Sequence, residues 1–139
     1  MKFEMMQNLE SEVIELKKFI AQINSSEKSV IIVEGKNDLE ALRKIGVLGR
    51  IIEFHKFHSM NEFADKIVKY KEVILLFDWD HKGRYLTRRV IKLLERRTKI
   101  NLTEKKKLHK ITRGKIKFVE QLVNYESDLR PDAFLIKCF

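Results

Sequence analysis

The chain is nearly without the residues that punctuate or cross-link small folds. Proline occurs once, at Pro131, and cysteine once, at Cys138, in 139 residues. A lone cysteine cannot close an internal disulfide, and no Cys or His stands near it at zinc spacing. Neither a disulfide framework nor a zinc ribbon is therefore expected. No apolar run approaches the about 18 residues that suggest a membrane-spanning helix. The opening residues Met1-Lys2-Phe3-Glu4 carry charge within an amphipathic pattern, unlike the unbroken apolar stretch of a signal peptide. Aromatics are 9 % of the chain, and no aromatic-rich stripe beyond Trp79 and Tyr85 suggests a base-stacking platform. What remains is 44 % apolar residues, enough for one core, and 35 % charged ones. The expectation is one soluble, cytoplasmic domain over 1–139, with helical extensions at 1–27 and 103–139 around a core at 28–102.

The charge that is present is unevenly spread. The whole chain carries +9, yet residues 81–118 alone hold fifteen Lys and Arg against two acids, a net of +13, and the rest sums to −4. A solvated helix surface accounts for any one of these residues. The block as a whole points to a phosphate-binding face and so to DNA or RNA as partner, with no membrane role.

Residues 3–23 read as a helix, with Met6, Leu9, Val13, Leu16, Ile20 and Ile23 spaced alternately by three and four. So short a stripe packs on its own domain more often than it forms a seam, although a homodimer through this helix stays open. Alternation then begins. Val30-Ile31-Ile32-Val33 is a β-branched run suited to a strand buried on both faces. Residues 37–45 are helical with Gly46 as the C-terminal stop, and 50–54 form a second strand. Ser59 and Glu62 make a capping box opening a helix through Phe63, Ile67 and Tyr70. Residues 73–77 are a third apolar strand, 83–97 a long basic helix, and 99–102 a short fourth strand. Thr103 caps a basic helix to Thr112, and Gly114 separates it from a last helix around Phe118, Val119 and Leu122. The order predicts an α/β fold: a small parallel sheet with helices on both faces. No pattern assigns residues 133–139.

Ligands in such sheets bind beyond the carboxyl ends of the strands, and two strand ends here carry acids. The first strand runs into Glu34-Gly35-Lys36-Asn37-Asp38, the third into Asp78-Trp79-Asp80-His81-Lys82-Gly83. If those strands are neighbours, Glu34, Asp78 and Asp80 converge where the basic helix begins. Asp78 and Asp80, two apart in extended chain, face one side and can share an ion. Mg²⁺, or Mn²⁺ in its place, suits such a group because it takes oxygen ligands and keeps several waters. Glu34 either completes the ligand set or serves as general acid or base. Asp38, or Asn37, caps the first helix or supports the acids from behind. Gly35 and Gly83 leave room for a phosphate, while Lys36, Lys82 and Arg84 neutralise its oxygens. Arg88, Arg89, Lys92, Arg96 and Arg97 continue the basic face. His81 is a candidate phosphate contact, and His55-x-x-His58 a weak metal pair lacking acids or Cys beside it.

At these residues the sequence resembles the Toprim family, the catalytic module of topoisomerases, bacterial-type primases and several nucleases. The family's Glu-Gly strand end with a following Asp is matched by Glu34, Gly35 and Asp38, and its Asp-x-Asp-x-x-Gly by Asp78, Asp80 and Gly83. Similarity to small stand-alone archaeal members extends to the leading helix and to Val119-Glu120-x-Leu122. The resemblance implies a Toprim fold, a Mg²⁺ site at Asp78 and Asp80, and Glu34 as acid or base in strand cleavage or nucleotidyl transfer. Phe77 and Trp79 are bulkier than the family pattern leads one to expect. These residues also hold no separate domain for a nucleophilic tyrosine and no polymerising subdomain, so topoisomerase or primase activity is not expected. A haloacid-dehalogenase phosphatase would carry its Asp pair on the first strand, and a receiver domain would need a later Lys strand. The expected function is a Mg²⁺-dependent nucleic-acid enzyme, most simply a small nuclease. The alternative is a non-catalytic nucleic-acid-binding or adaptor module.

Overall fold

The computed structural model describes residues 2–130. The side chain of Met6 and residues 131–139, including the unassigned stretch 133–139, lie outside the described residues. Helix α1 is Lys2–Asn24, and strand β1, Ser29–Val33, leads into α2, Lys36–Lys44. Strand β2, Ile51–Glu53, runs into a 3₁₀ turn at Phe54–Lys56 and then α3, Met60–Ile67. Strand β3, Glu72–Leu75, is followed by α4, His81–Leu94, and β4, Lys99–Asn101, by α5, Thr103–Ile111. A 3₁₀ segment at Val119–Tyr125 closes the described chain.

The four strands form one parallel sheet in the order β2-β1-β3-β4. Strand alternation divides the apolar residues between two cores. Ile31, Val33, Ile74 and Leu76 face one core with α1, α2, α5 and the final 3₁₀ segment. Val30, Ile32, Val73, Leu75 and Phe77 face the other, with α3 and α4. That explains why β1 and β3 are apolar after their first residues, Ser29 and Glu72: both of their faces are covered. The α1 stripe is spent inside the chain, since Val13, Leu16, Ile20 and Ile23 are buried in the first core.

Local signals explain the boundaries, with instructive exceptions. Gly46 takes φ +103° just past α2, a region that favours glycine. Ser59 Oγ accepts from Glu62 N at 3.1 Å, but the Glu62 carboxylate reaches past Ser59 to accept from His58 N at 3.0 Å. Helix α3 ends at Ile67, short of Tyr70. Thr103 is not the cap of α5: Asn101 Oδ1 accepts from the backbone N–H of both Thr103 and Glu104, at 2.8 and 3.2 Å. The last element winds as 3₁₀ rather than α. It is held at one end by Val119 N–H on Asp78 and at the other by the Tyr125 hydroxyl on Glu12. A 3₁₀ helix rises about 2.0 Å per residue against about 1.5 Å for α, so fixed anchors decide the winding.

Topology fixes where a site forms. From β1 the chain passes to β2 on one side, with α2 on the first core. From β3 it passes to β4 on the other side, with α4 on the second. Connections that diverge in this way open a crevice at the carboxyl ends of the two central strands.

Candidate metal centre

Register brings the acids together. Ile32 pairs with Leu75, and Leu76 N continues the ladder to Ile32 O at 2.9 Å, so Glu34, just after β1, comes level with Phe77, next to Asp78. Asp78 N then donates to Glu34 Oε1 at 3.4 Å. The next two acids are held in the same manner. Val119 N donates to Asp78 Oδ1, and Gly83 N to Asp80 Oδ1, each at 2.7 Å. Every carboxylate of the trio thus has one oxygen fixed by a backbone N–H and one left without a donor among the described residues. Ligand atoms of Glu34, Asp78 and Asp80 lie within 4.8 Å of one another. No salt bridge among the described residues reaches the three. Three hard oxygen donors, oriented by the backbone and unpaired by cations, fit a Mg²⁺- or Mn²⁺-type ion that keeps part of its water shell.

The electrostatics agree. Glu34 is 8 % and Asp78 9 % exposed. Burial pushes the Asp78 carboxyl up to about 6, helped by the charges of Asp38, Asp80 and Glu120 and opposed by the Val119 N–H. Glu34 is raised by burial and then by Asp78, and Asp38 by burial, against the N–H of Gly35. A bound cation would relieve all three.

The Asp38 carboxylate accepts from Gly35 N at 3.2 Å, so it braces the β1–α2 turn from within the helix rather than standing before it. A cleft of about 280 Å³ opens between this turn, His55, Asp78 and Glu120. Gly35 and Lys36 line it, and His55 N fixes the turn by donating to Glu34 O at 3.0 Å. Gly83 plays a different part from the one its position in the motif suggested. It is buried, its N–H is spent on Asp80, and a Cβ there would sit 2.0 Å from the Asp78 carbonyl oxygen. The glycine lets two backbones touch; it does not open room for phosphate. Phe77 is drawn into the second core and Trp79 packs against the first, so the bulky neighbours leave the acids uncrowded.

Asp80 is the N-cap of α4, which places Lys82 and Arg84, both exposed, on the first turn beside the acids. Arg88, Arg89 and Lys92 continue along the exposed side of the helix. Arg96 and Arg97 lie past its end, which is itself about 21 Å from Asp80 at about 1.5 Å per residue. Arg97 is also turned toward Asp65 of α3 at 3.6 Å. His81 is exposed at the start of α4. His55 reaches the cleft but His58 stays at the head of α3, so the two are not joined in the acid cluster.

Three participants were not assigned to the acid site from the sequence, although Val119 and Glu120 carry part of the family resemblance and Lys105 lies in the basic block. Lys105 is buried, and its Nζ donates to the Asp78 carbonyl at 3.1 Å and lies 5.7 Å from the Trp79 ring. Burial lowers its pKa, against the pull of Asp78. Its spacing with Leu108 and Thr112, the buried stripe of α5, was the available signal. The Val119 N–H, being backbone, carries no side-chain signature. Glu120 lines the cleft.

A switch-point crevice bearing Glu34, Asp78 and Asp80 on this sheet defines the class: the chain belongs to the Toprim domain family, whose model matches residues 29–120. Toprim domains bind divalent metals and serve nucleic-acid chemistry, and the acid cluster fits that use. Among archaeal relatives, it is 35 % identical to the UPF0292 protein of Methanosarcina acetivorans over 127 residues, covering 90 % of this chain and 84 % of that one. With the Methanocaldococcus jannaschii UPF0292 protein it shares 38 % over 103 residues, 72 % and 80 % of the two chains. A shorter match to the Thermoplasma volcanium UPF0292 protein reaches 53 % over 57 residues, 40 % of this chain and 48 % of that. A solved Aquifex aeolicus protein superposes with TM-score 0.64 at 25 % identity, over 76 % of this chain and 96 % of the other. No helix among the described residues is long and apolar enough to cross a membrane.

Proposed function

We propose that the chain is a Mg²⁺-dependent enzyme acting on nucleic-acid phosphodiester bonds, most simply a small nuclease working on DNA or RNA in the cytoplasm. One observation carries this reading: three carboxylates within 4.8 Å, each with a free oxygen, stand where a basic helix begins. On this reading Asp78 and Asp80 hold Mg²⁺ or Mn²⁺, which supplies charge neutralisation at the phosphate. Glu34 completes the ligand set or moves a proton; burial and the Asp78 charge raise its pKa, which favours the protonated form over that of an ordinary glutamate. Asp38 keeps the Glu34-Gly35 turn in shape through Gly35 N. Lys36, Lys82 and Arg84 screen the phosphate oxygens, and the rest of α4 holds the flanking strand.

A second reading has its own support. Asp78 and Asp80 each already seat a backbone N–H, so the acids have structural work even without an ion. The chain would then be a non-catalytic nucleic-acid-binding module. Incubation with labelled single- and double-stranded DNA and RNA, with Mg²⁺, Mn²⁺ or chelator, separates the two. Metal-dependent cleavage lost in Glu34→Gln and Asp78→Asn is expected. Binding without any metal-dependent product, or product that both variants still make, assigns the chain to the second reading.

A further inference from the structure

Four large apolar side chains are exposed among the described residues: Ile14, Leu48, Tyr85 and Phe118. The two aromatics lie on segments that join the Asp motif, and they come from opposite layers. Tyr85, 52 % exposed, lies on α4 five residues past its cap Asp80, a rise of about 7 Å. Its neighbour Leu86 faces the second core, and the tyrosine faces out. Phe118, 37 % exposed, sits between two backbone contacts that seat the C-terminal segment on the Asp motif. Trp79 N donates to Lys117 O at 2.8 Å on one side of it, and Val119 N to Asp78 Oδ1 at 2.7 Å on the other. Val119 belongs to the first core, so the two rings come from layers on opposite faces of the sheet whose ends carry the acids.

Neither aromatic belongs to either core. The Arg89 guanidinium lies 5.6 Å from the Tyr85 ring, and neither the Tyr85 hydroxyl nor the Phe118 ring has a partner among the described residues. Single exposed apolar residues are ordinary. Here, however, the exposed Arg84, Arg88 and Arg89 are neighbours of Tyr85 on α4, and the exposed Lys117 precedes Phe118. Exposed rings set in positive charge are the parts of a surface that holds unpaired bases, because every base has a face to stack and every phosphate a charge to screen. In a duplex those faces are already stacked on one another.

We propose that Tyr85 and Phe118 stack unpaired nucleobases on either side of the acid cluster, so that the ligand of this site is a single-stranded stretch or unpaired end of nucleic acid. This rests on the nucleic-acid reading of the site but not on cleavage. Sequence spacing could not show it, since 33 positions separate the two rings and only the fold relates both segments to the Asp motif.

The test is equilibrium binding without divalent metal, so that nothing is cut. The probes are labelled oligothymidylate and oligouridylate, and blunt DNA and RNA duplexes carrying the same label. Tyr85→Ala and Phe118→Ala should each weaken single-strand binding about tenfold, leave the salt dependence alone, and leave duplex binding unchanged. Tyr85→Trp and Phe118→Trp should restore it, and a fluorescent adenine analogue in the strand should be quenched by wild type and not by the alanine variants. Thermal melts of all four variants confirm folding. Duplex binding as tight as single-strand binding, or alanine variants that bind as wild type does, overturns the proposal. A protein that stacks single strands but cuts nothing in Mg²⁺ or Mn²⁺ retains this inference and loses the nuclease. One that cuts both forms alike, whatever stands at Tyr85 and Phe118, does the reverse.

Discussion

Asp78 carries a charge that the fold does little to balance. Its pKa stands at about 6 against an ordinary 3.8, so between those values the native state holds a proton that the unfolded chain has released. Stability therefore falls as pH rises from about 4 through 6, and above 6 the full cost applies, about 3 kcal/mol at 1.36 kcal/mol per unit. Asp78→Asn keeps an oxygen for the Val119 N–H and removes the charge. The metal-free variant should be more stable than wild type at pH 8, by up to that amount, and no more stable at pH 4. Addition of Mg²⁺ or Mn²⁺ at pH 8 should raise the melting temperature of wild type and leave the variant unmoved. Thermal denaturation across pH with and without metal checks both; a wild type indifferent to metal would refute the ion site. That these residues mattered was legible from two strand ends carrying Glu-Gly and Asp-x-Asp. Gly83 was legible as necessary but not as to why, because the clash it avoids is with a backbone atom five residues back.

At the scale of elements, periodicity read the strands and most helices, since covered strands must be apolar and amphipathic helices striped. What it could not read were contacts that override local preference. The clearest is Glu12, an acid only 2 % exposed on the otherwise apolar α1 stripe. Lys115 Nζ lies 2.6 Å and Arg113 Nε 3.5 Å from its carboxylate, and the Tyr125 hydroxyl donates to it at 3.0 Å. Between these partners sits Val119, whose N–H orients Asp78. Helix α1 thus anchors the segment that completes the acid cluster, from more than a hundred residues away in sequence. Glu12→Gln retains a hydrogen-bond acceptor for Tyr125 and loses both ion pairs. Because the two cations are about half exposed, the cost should be about 1–2 kcal/mol rather than that of a fully buried pair. The informative readout is metal affinity. Calorimetric titration of Mn²⁺ should show weaker binding in Glu12→Gln, although the substitution touches no ligand. A drop in melting temperature with unchanged Mn²⁺ affinity would mean that Glu12 serves stability alone.

For the whole molecule, the sequence showed a block of +13 but not its geometry, because a linear count cannot say which charges share a face. The fold divides that block. Lys82, Arg84, Arg88, Arg89 and Lys92 lead away from the acids along the exposed side of α4. Lys105 is turned inward to the Asp78 carbonyl, while Lys115 and Arg113 pair with Glu12, Lys99 with Glu72 at 3.2 Å and Arg97 with Asp65. Cations already engaged by protein release fewer counterions from a nucleic acid than free ones do. Each phosphate neutralised contributes about −0.7 to the slope of log affinity against log salt on a single strand, and about −0.9 on a duplex. Replacing Arg84, Arg88 and Lys92 together by Ala should therefore flatten the single-strand slope by about two. Replacing Arg97, Lys99 and Arg113, an equal loss of charge, should change it by well under one. The comparison holds net charge constant between the two triple variants, so only position differs. Anisotropy titrations over a range of NaCl read it directly. Equal flattening by both sets would mean that the protein attracts nucleic acid by its overall charge, with no directed path along α4 to the acids.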